Sequence, residues 1–355
     1  MIFEGKRILI TGGTGSLGKT LVRRLLSGKD GKPKKIIVFS RDEAKQHQMR
    51  VDYKHKKFAT DELIYHNFEE LLEFWIGDVK DYHSVLSALR DVDIVFNAAA
   101  LKQVPTCEYF PFEAVMTNIE GPQNIVRAIK ENNLPIETVV GVSTDKACKP
   151  VNVMGMTKAI QEKIFINANL QSKKTRFICV RYGNVLASRG SVIPLFHEQI
   201  LAGQDITITT EDMTRFLLPL DYAVDIIFAA VKKANPGETF IPRVLSANMM
   251  DIAKALIGKR KNKIKIIGIR PGEKIHEILV SDEEAYRTTT RGEYYVILPM
   301  LPELQNKNAG KTTFLTKEYS SGDNVMSTDE TYELLKKFKL LLENDILTQE
   351  EEFLR

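Results

Sequence analysis

Residues 7–26 read RILITGGTGSLGKTLVRRLL, and the order of residue types along them decides the fold. Ile8 to Ile10 form a short apolar run, Thr11 to Gly18 hold the glycines, and Leu21, Val22, Leu25 and Leu26 recur at helical spacing. The succession is strand, glycine turn, helix. Gly12, Gly15 and Gly18 suit the three tasks of a dinucleotide-binding turn, which are a tight bend, close backbone approach to a pyrophosphate, and close packing of helix on strand. The helix N-terminus adds free N–H groups and the positive end of its dipole. Thr11, Ser16 and Leu17 fall at the same place and join the candidate cofactor residues.

The pattern repeats outward from there. Ile36 to Phe39 is a second apolar run, ending in Ser40-Arg41-Asp42. An acid at this strand end bonds the ribose 2′-hydroxyl of NAD, whereas an arginine pairs with a 2′-phosphate. Ser40 and Arg41 therefore predict NADP rather than NAD, with Asp42 as the competing acid two positions on. Phe74 to Ile76 predicts a third strand that delivers Asp78 and Val79 to the adenine. Ile94 to Phe96 predicts a fourth, ending in Asn97-Ala98-Ala99-Ala100, whose small side chains let a cofactor lie against the backbone. Val115 to Ile129 reads as a helix carrying Asn118, and Arg176 to Val180 as the sixth strand.

Strands and helices alternating at this rhythm predict an α/β protein with a doubly wound parallel sheet. Residues 1–185 would form the dinucleotide-binding domain and carry the catalytic residues. Residues 186–292 are less regular, with a helix opening at Ser191, a short strand over Ile206 to Ile208, and arginines on loops. They suit a smaller substrate-binding lobe, interleaved with elements of the first domain, closing over an anionic substrate. Beyond about Gly292 the pattern dissolves into loops, so 293–355 reads as a C-terminal extension, with an amphipathic helix over Asp329 to Asn344. Gln46 to Leu72 reads as a charged helical excursion to which no function is assigned.

The chemistry concentrates in residues 139–158, VVGVSTDKACKPVNVMGMTK. Val139 to Val142 is an apolar run of the kind buried on both faces of a parallel sheet. Ser143, Thr144, Asp145 and Lys146 follow, at the carboxyl end of a buried strand, where open α/β sheets place their chemistry. Met154 and Lys158 lie four residues apart on a helix face that can look back at them.

Composition narrows the class. The 355 residues carry 50 basic against 46 acidic side chains, and the basic ones are scattered rather than clustered, which argues against nucleic acid as a partner. Cys107, Cys148 and Cys179 match neither a disulfide framework nor a metal site. With no apolar run long enough for a membrane and no basic-then-apolar leader, the expectation is a reduced, cytoplasmic protein.

These residues resemble an extended short-chain dehydrogenase/reductase. The narrower resemblance is to the soluble UDP-N-acetylglucosamine 4,6-dehydratases of capsule, O-antigen and flagellin-sugar biosynthesis, and it covers nearly the whole chain. It rests on the glycine turn, Asn97 to Ala100, Ala100 to Pro105 (ALKQVP), Asn118, Ser143 to Lys146, Lys158, Arg181 to Arg189 (RYGNVLASR), Met213 to Phe216 and Arg270 to Lys274. The resemblance implies a Rossmann domain and a redox-neutral reaction: oxidation at carbon 4 of the sugar, loss of water across carbons 5 and 6, and return of the hydride to carbon 6. It implies that Thr144 bonds the carbon 4 oxygen, that Lys158 lies beside the nicotinamide ribose and stabilises the developing oxyanion, and that Asp145 supplies the proton for the leaving hydroxyl. Lys146 would act on carbon 5 with a pKa lowered by burial beside Lys158. Tyr182, Asn184 and Val185 would help hold cofactor and nucleotide. Lys102, Asn184, Arg215, Arg270 and Glu273 would hold the substrate, the arginines on the diphosphate and Glu273 on a ribose hydroxyl. A homo-oligomer, a dimer or larger, is also implied.

One position departs from the superfamily. Its usual catalytic tyrosine stands four residues before the lysine, and Met154 stands there in this chain. A thioether transfers no protons, so Asp145 becomes the candidate base for the first oxidation as well. The departure keeps a non-catalytic NADP-sensing regulator open as an alternative, and a UDP-hexose 4-epimerase, which also oxidises carbon 4, is the rival enzyme. The configuration at carbon 5 of the product stays open too.

Overall fold

The computed structural model describes residues 1–55, 68–186, 191–305 and 313–342. Six parallel strands form its centre: β1 (Arg7–Thr11), β2 (Lys35–Ser40), β3 (Leu72–Ile76), β4 (Ile94–Asn97), β5 (Thr138–Thr144) and β6 (Arg176–Tyr182). They stand in the order β3-β2-β1-β4-β5-β6, so the winding reverses between β1 and β4. Beyond β6 come Thr239–Pro242, parallel to it, and then the antiparallel pair Tyr294–Ile297 and Thr288–Arg291.

Side chains along these strands alternate between two cores, as the period of two requires. Ile8, Ile10, Ile36, Val38, Phe96, Val140 and Ile178 point to one face, under α1 (Ser16–Leu26) and the helix Leu220–Lys233. Leu9, Ile37, Phe39, Val95, Val139 and Phe177 point to the other, under the helices Tyr82–Ala88, Gly121–Glu131 and Val153–Gln171. A sheet covered on both faces explains why its strands read as unbroken apolar runs. Gly141 stands where a Cβ would lie 2.4 Å from the Phe165 ring, so the helix Val153–Gln171 seats directly on β5.

A separate apolar core, with Phe196, Ile206, Met213, Ile252, Leu256 and Leu335, gathers the helices Val192–Leu201, Met249–Ile257 and Thr328–Lys337 into the smaller lobe.

Three expectations change. Tyr294–Ile297 is a strand of the main sheet, where loops were expected beyond Gly292. The helix expected over Val115 to Ile129 is broken into Pro111–Val115, a π turn over Met116–Glu120, and Gly121–Glu131. The last helix ends at Lys337, and its expected end at Asn344 lies outside the described residues. In the expected excursion Gln46 to Leu72, Glu43–His55 and Phe68–Leu71 are helical, and 56–67 lie outside the described residues. Ala187, Ser188 and Arg189 of the RYGNVLASR stretch lie outside them as well.

Candidate active site

The crevice at the reversal of the sheet is built from β1 and β4. The Thr11 hydroxyl donates to Asn97 Oδ1 (2.8 Å) and accepts from the Ala99 N–H (3.1 Å), tying the two strand ends together. Gly12 has φ +66°, and a Cβ there would stand 2.9 Å from Ala99 Cα. The bend and the close approach both require glycine. At Gly18 a Cβ would meet Gly13 Cα at 2.5 Å, so α1 packs straight onto the turn. Gly15 caps α1 without a side-chain bond to its first N–H groups, which leaves them for an anion. At the end of β2, Ser40 bonds Thr14 (2.9 Å), exposed Arg41 lies 3.8 Å from Asp78, and the Asp42 carboxylate is taken by the side chain and backbone N–H of Lys45. The residues present fit a dinucleotide: a glycine cradle a Cβ would fill, an open helix N-terminus, and a cation at the β2 end.

Asn118 is fully buried on the π turn. Its amide accepts from the Leu101 N–H (2.8 Å) and donates to the Leu101 carbonyl (3.0 Å) and Thr157 Oγ1 (3.0 Å). It fastens the segment after β4 to the helix Val153–Gln171. π turns inserted into helices often occur at functional sites. Val79 is a core residue, packed where a Cβ on Gly121 would come within 2.9 Å, and Tyr182 is buried beneath the floor, its hydroxyl pushed up by burial. Ala98 and Ala100 line the crevice mouth half-buried.

The end of β5 turns into a single 3-10 turn, Asp145–Ala147. Thr144 Oγ1 donates to Asp145 Oδ1 (2.8 Å), and Lys146 Nζ approaches the same oxygen (3.2 Å), Glu277 Oε1 (2.9 Å) and Asn184 Oδ1 (3.5 Å). Arg215 Nε lies 3.8 Å from Glu277 Oε1, and its Nη1 donates to the Thr214 and Ile275 carbonyls. Asp145 and Glu277 are buried, and one oxygen of each, Asp145 Oδ2 and Glu277 Oε2, has no partner. Burial raises the Asp145 carboxyl against the pull of Lys146, and Glu277 raises it further. Burial would raise Glu277 too, but Lys146 and Arg215 hold it below the usual carboxylate range.

The expectation for Lys146 is corrected here. Burial would lower its amine, but Asp145 and Glu277 outweigh burial and raise it, so Lys146 rests as an ammonium. Burial lowers Lys274 and, to about 8, Lys158, which donates to Gln161 Oε1 (2.6 Å), while Gln161 Nε2 donates to the Val142 carbonyl (3.0 Å). Met154 packs, almost buried, against Cys107, Ala114, Leu101 and Val104.

Of the residues expected to hold substrate, Asn184 and Arg215 reach this cluster. Arg270 is exposed on a turn whose Gly272 carbonyl is bonded by Asn152, the N-cap of the helix Val153–Gln171. Glu273 accepts from Thr209, Val185 is half-buried on a short strand beside Leu218, and Lys102 is exposed. Glu277 was missed. It stands three residues past the Arg270 to Lys274 motif, just before the apolar run Ile278 to Val280.

The pattern of the family described as polysaccharide biosynthesis protein matches residues 8–299. The chain belongs to the polysaccharide biosynthesis protein family. Among relatives, a UDP-glucose 4-epimerase of Rickettsia bellii is 46% identical over 301 residues, covering 83% of this chain and 84% of its own. An inverting UDP-N-acetylglucosamine 4,6-dehydratase of Campylobacter jejuni is 42% identical over 303 residues, covering 84% and 85%. Among solved structures, Pen from Bacillus thuringiensis matches with a TM-score of 0.83 at 36% identity over 96% of this chain and all of its own. The dTDP-glucose 4,6-dehydratase DesIV of Streptomyces venezuelae, solved with NAD bound, shares the fold at a TM-score of 0.64 and 20% identity, over 76% and 86%. The family membership, the Rossmann-type sheet and the short-chain dehydrogenase/reductase class thus agree with the resemblance read from the motifs. Among the described residues, no cluster of side chains suits a metal ion and no helix is long and apolar enough to cross a membrane.

Proposed function

We propose that this protein is an NADP-dependent UDP-N-acetylglucosamine 4,6-dehydratase that makes a UDP-4-keto-6-deoxy-N-acetylhexosamine for surface polysaccharide. The observation that carries the reading is the Thr144-Asp145-Lys146 group, with a buried carboxyl whose second oxygen is unpartnered. An epimerase oxidises carbon 4 and reduces it again, and needs no acid for a leaving hydroxyl. A dehydratase does.

NADP, when bound, supplies the hydride acceptor and donor. Gly12, Gly15 and the N-terminus of α1 would hold its pyrophosphate, Ser40 and Arg41 its 2′-phosphate, and Asp78 its adenine end. Lys45 already occupies Asp42, which supports a 2′-phosphate over a bare 2′-hydroxyl. Thr144 donates to Asp145, so a carbon 4 hydroxyl bonded to Thr144 passes its proton through one hydroxyl into the carboxylate. Asp145, which burial favours in its neutral form, then gives that proton to the departing carbon 6 hydroxyl, and water leaves. Lys146 faces carbon 5. Lys158 supports the carbon 4 oxyanion with its charge. The arginines of the smaller lobe, Arg215 and Arg270, take the diphosphate, and the lobe closes over it.

A second reading, the UDP-hexose 4-epimerase, is favoured by the name of the 46% identical relative. Incubation of the full chain with NADP and UDP-N-acetylglucosamine in deuterated water, followed by NMR, separates the two. A methyl signal with deuterium at carbon 5 is expected. A carbon 4 epimer with no methyl group supports the epimerase, and unchanged sugar with bound cofactor supports an NADP sensor.

A further inference from the structure

The dehydration leaves one proton without a resting acceptor. The hydrogen on carbon 5 must go to a base, and Lys146, the group facing it, is already an ammonium with Asp145 and Glu277 beside it. An ammonium accepts no proton until it has given one up. The buried network offers one outlet. Asp145 is spoken for, because it receives the carbon 4 hydroxyl proton and must keep it for the leaving water. Glu277 Oε1 lies 2.9 Å from Lys146 Nζ, and Glu277 Oε2 is buried with no partner.

We propose that Glu277, just before the strand Ile278–Val280, is the positioning residue that serves as the proton store behind Lys146, and this rests on the dehydratase reading above. A proton moves from Lys146 Nζ to a Glu277 oxygen, which breaks one N–H bond and forms one O–H bond. The neutral amine then takes the hydrogen from carbon 5 as its bonding electrons form the enolate. When carbon 5 is protonated again, Lys146 gives a proton up and recovers the one held by Glu277, so the pair ends as it began.

The surroundings suit the task. The charged groups around the carboxylate are Lys146 and Asp145 from the turn after β5, Arg215 from the strand Thr214–Leu218, and Lys274 from its own loop. Lys146, Arg215 and Lys274 keep Glu277 ionised at rest, so the proton it takes from Lys146 is held weakly and goes back once carbon 5 is protonated. Its backbone is fixed on both sides by Ser321, whose Oγ accepts from the Glu277 N–H (2.9 Å) and whose own N–H donates to the Glu277 carbonyl (2.8 Å). The carboxylate therefore arrives at Lys146 on a rigid strand end.

The test uses Glu277→Gln and Glu277→Asp in the full chain with NADP and UDP-N-acetylglucosamine in deuterated water. Two steps are read separately, reduction of the cofactor by its absorbance and deuterium at carbon 5 by NMR. An amide keeps the shape but cannot store the proton. For Glu277→Gln the expected result is cofactor reduction within about tenfold of wild type, with reduced cofactor accumulating, while deuterium incorporation falls by roughly 10²–10⁴-fold. Glu277→Asp recovers part of the incorporation. Equal loss of both steps in either folded variant, or wild-type incorporation in Glu277→Gln, overturns the inference alone. If Glu277→Gln does not fold, Glu277→Asp decides by the same ratio of the two steps. A wild-type protein that incorporates no deuterium overturns the dehydratase reading and the inference together.

Discussion

Two buried charged clusters hang from the same strand end, one at Ser143 and the other at Asp145, and they are finished differently. At Ser143, Glu162 accepts from the serine hydroxyl and from Arg181, which also reaches Glu284 and the Leu279 carbonyl. Each oxygen of Glu162 and Glu284 and each nitrogen of Arg181 has a partner, and Arg287, ion-paired to Glu284 (3.5 Å), is the member that keeps a bare nitrogen, its Nε. At Asp145, two carboxyls set among Lys146, Arg215 and Lys274 leave Asp145 Oδ2 and Glu277 Oε2 bare. An unpaired buried oxygen costs stability. In the function proposed above, the two oxygens left bare at Asp145 and Glu277 are the ones kept for a ligand. The first cluster holds the segment 279–284 against β5 and β6, and in the function proposed above the second does the chemistry.

Substitutions that separate activity from stability test the contrast. Asp145→Asn should give the largest effect, a fall in methyl formation of roughly 10³–10⁴-fold with stability within about 2 kcal/mol of wild type. NMR turnover beside a denaturant melt checks it, and a large loss of stability would erase the distinction drawn here. Arg181→Met should behave in the opposite way, costing about 3–5 kcal/mol because it strands buried Glu162 and leaves half-buried Glu284 to Arg287, with near-normal turnover per folded molecule. It should also alter acid stability. Burial alone would raise Glu284, yet Arg181 holds it at about 2. That stabilisation is present above pH 4.5 and lost as pH falls toward 2, and urea titrations of the variant should lack this loss.

Lys158 sharpens the comparison from a third side. Its folded value of about 8 lies below the ordinary 10.5, so across that window the unfolded chain holds a proton the folded one has released. Stability should rise with pH there, and below it the buried ammonium costs on the order of 3 kcal/mol. Lys158→Met should gain stability at pH 7, lose the rise, and lose turnover. Met154→Leu should give the smallest effect, under about 1.5 kcal/mol and a few-fold in turnover, because Met154 fills an apolar pocket. A large loss of turnover would give the thioether a chemical part.

The first of these clusters could not be read from residues alone, and the second only in part. The glycine turn, the two-faced strands and the Asp145-Lys146 pair are local patterns, so spacing reveals them. Glu277 meets Lys146 across 131 positions of chain, and no periodicity reports such a pair. The π turn at Met116–Glu120 leaves no mark in residue type either. The hairpin 288–297 is different. Thr288 to Arg291 and Tyr294 to Ile297 are rich in threonine, tyrosine and branched residues and flank a two-residue connection beginning with Gly292, φ +64°. That is a hairpin signal, overlooked because the strands are short and follow an irregular lobe.

The same hairpin constrains how the protein is made. Residues 239–242 leave the ribosome as an open sheet edge, and their partner strand is translated some fifty residues later. At roughly 5–20 residues per second the edge waits several seconds for cover, and Lys146 waits more than twice as long for Glu277. A nascent chain paused before residue 277 would expose both an aggregation-prone edge and an unfinished buried charge cluster.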